Sequence, residues 1–180
     1  MSLPHEKPYT IDYIYALPDK ERAELIDGQI YNMAPPSPKH QSIIGELFYS
    51  IRNHINTKGG SCKPFIAPFA VFLNEDSYTY VEPDISVVCN PEKIDNRGCN
   101  GAPDWIIEIV SPSSRQMDYL VKLFKYRQAG VREYWIVDPE KDRIAVYTFD
   151  PEAMTEYTFA DAIKTGIFED LTIDFSELSI

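Results

Sequence analysis

Apolar residues recur along this chain with two periods, and the switches between them lay out its elements. Ile44, Leu47, Phe48, Ile51 and Ile55 return at three- and four-residue steps, one face of a helix. Ser37-Pro38 reads as an N-cap and a first helical residue, and Gly59-Gly60 stops the helix, predicting a span near residues 38–57. Upstream, Thr10 can cap a short helix over Ile11 to Ala16 that Pro18 ends. Asp27-Gly28 between two apolar-rich runs predicts a hairpin with strands near 23–27 and 29–34. Downstream the runs shorten and read as strands at Cys62–Ile66, Phe69–Leu73, Asp84–Val88, Trp105–Val110, Glu133–Val137 and Ile144–Phe149. N-E-D-S at 74–77 and D-P-E-K-D at 138–142 are turns, and residues 90–101 form a polar loop. A second helix spans Arg115 to Ala129, between S-P-S-S and Gly130. The tail from Thr155 holds two or three short strand-like pieces around Gly166.

The core order is helix, three strands, helix, strand. That predicts an α/β (mixed α+β) sheet with helices packed on it, an αβββαβ core decorated by a hairpin at each end. The 180 residues fit one domain over 1–180, without repeat or linker.

Two acids interrupt this apolar pattern. Asp84 opens one strand, and Glu108 sits inside Trp105–Val110, a run so apolar that both its faces should be covered. A buried carboxylate is costly unless it is paired or holds a metal. Projected at 100° per residue, Arg115, Asp118, Lys122 and Lys125 of the second helix share a stripe about 80° wide. Met117, Leu120, Val121 and Phe124 occupy another sector, predicted to be the buried face. Two acids and a main-chain carbonyl can bind a hard cation, and a nearby lysine can stabilise charge on a phosphate under attack.

Charge complicates that picture. The net charge of -11 argues against tight binding of nucleic acid, yet residues 111–143 carry seven Lys/Arg against five Asp/Glu. Cys62, Cys89 and Cys99 form no C-x-x-C pair, and an odd count without a framework favours free thiols and a reducing cytoplasm. The N-terminus lacks an apolar signal core and no run is long enough for a membrane span, so a soluble cytoplasmic protein is expected.

Several motifs in order resemble a known family: E-L-I-D-G, S-P-K-H-Q, E-P-D, E-I-V-S-P-S-S, K-x-x-x-Y-x-x-A-G-V and E-Y-W-I-V-D-P. Together they look like the putative restriction endonuclease family of bacteria, within the PD-(D/E)XK nuclease superfamily. The resemblance runs from about Thr10 to Phe149 and more loosely to the end. It implies a restriction-endonuclease-like fold and a magnesium-dependent (or manganese-dependent) endonuclease acting on DNA. Asp84 and Glu108 would be catalytic acids and metal ligands, with the carbonyl of Ile109 as third ligand. Val110 stands where the parent signature has its lysine, so that role passes to Lys122 first or Lys125 second. His40, in S-P-K-H-Q, is a further catalytic candidate, and Glu24 and Glu46 are weaker ones. By analogy, a homodimer would address both strands of a duplex.

Blander readings stand beside these. Asp84 also fits a strand-end turn, Glu108 a purely structural ion pair with Lys122, the two lysines a solvated face, and His40 a surface residue. The alternative function is a non-catalytic nucleic-acid- or protein-binding module on the same fold, favoured by the acidity and by Val110. An acyl hydrolase lacks its G-x-S-x-G, and paired carboxylates alone do not specify a glycosidase.

Overall fold

A computed structural model describes residues 7–74 and 76–180. The chain begins with a short helix α1 (Ile11–Tyr15) and a hairpin of β1 (Ala23–Ile26) and β2 (Gln29–Asn32). Both turn residues have positive φ, 50° at Asp27 and 77° at Gly28. Glycine is needed at the second, because a Cβ there would lie 2.5 Å from that of Pro8. Helix α2 (Pro38–Lys58) starts where the Ser37 side chain accepts the His40 N–H and ends at Gly59 in the left-handed conformation.

Strands β3 (Lys63–Ile66), β4 (Val71–Phe72), β5 (Ile85–Val88), β6 (Cys99–Asn100) and β7 (Trp105–Ile109) follow. Helix α3 has a π-helical segment, Met117–Lys122, and an α-helical one, Leu123–Ala129. Strands β8 (Glu133–Asp138), β9 (Arg143–Phe149), β10 (Glu152–Tyr157), β11 (Ala162–Lys164) and β12 (Thr172–Asp174) complete the chain.

Six strands form the main sheet in the order β10-β9-β8-β7-β5-β3. Within this sheet, among the described residues, only β7 and β8 pair in parallel, and α3 is the crossover such a pair requires. On one face, Ile43, Leu47, Ile51 and Ile55 of α2 pack on Val87, Trp105, Ile107 and Trp135. The β11–β12 hairpin closes that face with Ile163, Ile173 and neighbouring Phe175. The other face carries Ile106, Val110, Tyr134 and Ile136 under α3. Alternation along β7 puts Glu108 on this second face.

The expected mixed α+β fold is present, and three details differ. Phe69–Leu73 is not a strand of the main sheet, since β4 is two residues long and pairs with β6 beside it. The end hairpins are not decorations. Strands β9 and β10 extend the main sheet, while β1 is tied to the chain before β5 by hydrogen bonds between Leu25 and Tyr80. Cys62 and Cys89, expected as free thiols, are bonded to each other, and Cys99 is buried and unpaired. Their β3–β5 register, with Lys63 opposite Val88, brings residues 62 and 89 face to face, and spacing in sequence carries no sign of register. The cysteine count therefore says nothing about compartment. The N-E-D-S turn includes Glu75, which lies outside the described residues, as do the first six residues bearing on the N-terminal expectation. Among the described residues, no helix is long and apolar enough to cross a membrane.

Candidate active site

The two acids meet where β5 and β7 lie side by side. Ile85 stands opposite Ile107, so Asp84 falls next to Glu108 and Ile109. The Ile109 N–H donates to Asp84 Oδ2 at 2.8 Å, and the Asp84 N–H donates to Glu108 Oε2 at 3.3 Å. Each carboxylate is thus held by the main chain of the other's segment. His40, in the first turn of α2, places Nε2 3.2 Å from Asp84 Oδ2.

Helix α3 brings the cation. Lys122 Nζ lies 2.9 Å from Glu108 Oε1, 2.8 Å from Glu24 Oε2 and 3.9 Å from Asp118 Oδ1. Tyr126 donates its hydroxyl to Glu108 Oε1 at 2.8 Å. Glu24 projects from β1 and also accepts the Glu82 N–H at 2.9 Å. Ser114 donates to Asp118 Oδ2 at 2.6 Å. A cleft of about 840 Å³ opens over Asp84, Glu108, Asp118 and Lys122, walled by the β2 side of the hairpin and by Ser111–Ser114.

The expected buried face of α3 is only half kept: Met117 and Val121 pack against the core of the second sheet face, and Leu120 and Phe124 do not. Asp118, Lys122 and Tyr126 are buried, whereas Leu120 is 62% exposed and Phe124 60%. Charges can occupy the inner face because their partners, Glu24 and Glu108, wait on β1 and β7. The π-helical segment aligns them. On a regular α-helix a four-residue step overshoots a full turn by about 40°. The wider i→i+5 turn over Met117–Lys122 absorbs part of that overshoot between residues 118 and 122.

Of the candidate residues, Asp84, Glu108, Ile109, Lys122 and His40 therefore come together. Lys125 does not join them, because it binds Asp27 Oδ1 at 2.7 Å in the hairpin turn. Glu46 does not line the cleft, while Glu24 does. Tyr126 and Ser114 were not singled out. The signals were present, since Tyr126 follows Lys122 by one helical step and Ser114 precedes Asp118 by another.

Burial and mutual repulsion shape the titration of this cluster. Burial pushes the Glu108 carboxyl well above the usual carboxylate range; Lys122 opposes this, while Asp84, Asp118 and Glu24 reinforce it. Asp118 is raised to about 6, again by burial, with Lys122 and Ser114 pulling the other way. Burial also works against the charge on Lys122, yet Glu108, Glu24 and Asp118 hold its pKa well above the ordinary lysine value. His40 follows the same logic, with burial lowering its pKa and the contact with Asp84 lifting it above normal.

Glu24, Glu108 and Asp118 surround the Lys122 ammonium, and Asp84 lies beside them with His40; a divalent cation would favour the ionised form of these crowded carboxylates. Among the described residues, no three acidic, His or Cys side chains are grouped as a complete metal cage. A cation here would need main-chain oxygen as well as Asp84 and Glu108.

Comparison with known proteins agrees with this architecture. The model of a family described as putative restriction endonuclease (Uma2) matches residues 11–175. An uncharacterized protein of Synechocystis sp. is 29% identical over 130 residues, covering 71% of this chain and 66% of the relative. The chain thus spans just under two thirds of that relative's length. The crystal structure of a putative nuclease belonging to DUF820, from Anabaena variabilis, superposes with a TM-score of 0.78. That match covers 95% of this chain and 97% of the other at 23% identity, a likeness of fold.

Proposed function

The chain belongs to the putative restriction endonuclease family, and from that premise we propose that it is a divalent-metal-dependent endonuclease hydrolysing DNA phosphodiester bonds. The observation that carries the reading is the contact of Lys122 with Glu108, 2.9 Å apart, beside Asp84 at the floor of the cleft.

In this reading Asp84, Glu108 and the Ile109 carbonyl would hold Mg²⁺ or Mn²⁺. Such an ion, when bound, would supply polarisation of the phosphate and a lowered pKa for the attacking water. Lys122 remains protonated, so it acts as a fixed cation that stabilises charge on the phosphoryl oxygens, not as a base. Glu24 and Asp118 aim that ammonium. Tyr126 takes up Glu108 Oε1 and leaves Oε2 on the Asp84 side. His40 and the Ile109 N–H fix the Asp84 carboxylate through Oδ2.

The test is nicking of supercoiled plasmid with Mg²⁺ or Mn²⁺ by the wild type, Asp84→Asn, Glu108→Gln and Lys122→Met. Folding of each variant is checked by circular dichroism. The wild type should nick and the three variants should not, while Lys125→Ala should retain activity. Equal nicking by all would sink the proposal. A second reading, a non-catalytic binding module, is favoured by the engagement of Lys122 with Glu24 and Glu108. It would prevail if calorimetry found no metal binding at millimolar concentration and no cleavage were seen.

A further inference from the structure

We propose that Lys39 binds a backbone phosphate of the nucleic-acid strand lying in the cleft, next to the bond that is cut. This rests on the nuclease reading of the same site and assigns a residue that reading does not use. The argument is one of charge. Six carboxylates line the cleft, from Glu24, Glu82, Asp84, Glu108, Asp118 and Glu140, against the cations Arg22, Lys39 and Lys122. Arg22 binds Glu82 through Nε at 2.9 Å, and Lys122 binds Glu24 and Glu108. Arg115, just outside the lining, is taken by Asp138 and Glu140. Lys39 is the one lining Lys or Arg that makes no ion pair among the described residues, and it is exposed at the rim.

Its position suits the task. Lys39 adjoins His40, whose Nε2 is 3.2 Å from Asp84. Both residues line the cleft, so a phosphate held by Lys39 would share it with Asp84. A polyanion entering so acidic a cleft needs an unneutralised cation, and the lining supplies this one. Surface charge at large does not replace it, because the chain is net -11.

The measurement is the salt dependence of binding of a fluorescent 20-base-pair duplex, read by anisotropy in Mg²⁺. An Asp84→Asn background prevents cutting. Each phosphate contact contributes about 0.9 to the slope of log K against log salt for duplex DNA. Lys39→Ala should weaken binding at every sequence and lower the slope by about 0.9, Lys39→Glu should weaken it further, and Lys39→Arg should restore it. Thermal stability should not move, since the side chain is exposed. If the wild type nicks plasmid while Lys39→Ala keeps the parental affinity and slope, the assignment of Lys39 is wrong and the nuclease reading stands. If the wild type neither nicks nor binds DNA, the nuclease reading fails and the role of Lys39 falls with it.

Discussion

The two faces of the central sheet are covered by helices that bury different chemistry. Under α2 the contact is Ile, Leu, Val and Trp, and the helix buries the stripe its sequence advertises. Under α3 the buried residues include Asp118, Lys122 and Tyr126, while Leu120 and Phe124 face out. Even the acids differ. Glu133, on the α2 face, is held by neutral donors: the Trp135 indole N–H and the Gly166 N–H at 2.7 Å. Glu108, on the α3 face, is held by an ammonium and a phenol. One face spends its burial on cohesion; the other surrounds a charged cluster and leaves apolar side chains in water to do so.

Removing the central cation tests that contrast hardest. Lys122→Met should cost about 3–5 kcal/mol, because Glu24, Glu108 and Asp118 are left buried around an apolar side chain. Urea denaturation measures it, and a loss below about 1 kcal/mol would mean that the ion pairs do not hold this face together. On the other face, Leu47→Ala should cost about 2–5 kcal/mol through lost transfer energy and a cavity. Nicking by its folded fraction should remain at the wild-type rate, whereas slowed chemistry would show that the faces are coupled.

Smaller effects sharpen the comparison. Burial raises the Glu133 pKa, against the hydrogen bonds from Trp135 and Gly166 that lower it. The native state therefore binds this proton more tightly than the unfolded chain does. Stability falls as pH rises from the ordinary glutamate range through the raised folded value, and the penalty persists above it. Glu133→Gln should flatten that part of the pH–stability curve relative to wild type; superimposable slopes would refute the role. Least of all, Leu120→Gln with Phe124→Gln should change stability by no more than about 0.5 kcal/mol, since both side chains are more than half exposed.

How much of this was legible follows from where each partner lies. Helix α2 could be read because any flat apolar sheet satisfies its face. Asp84, Glu108 and Lys122 could be picked out because acids in apolar runs and a lysine on the next helix are unusual together. The inward face of α3 was hidden because the residues that make it tolerable are 14 and 98 positions away. Lys125 looked equivalent to Lys122 by helical angle, and only the placement of Asp27 separates them. The Cys62–Cys89 pairing depended on a strand register that spacing does not encode.

The bond from Lys122 to Glu24 joins two segments 98 residues apart. A chain growing from its N-terminus exposes that glutamate long before the lysine exists. Loop closure over such a span is slow compared with forming a helix or a hairpin. The assembled cluster is therefore a late product of biosynthesis, and a truncated or half-synthesised copy carries the acids without the cation that gathers them.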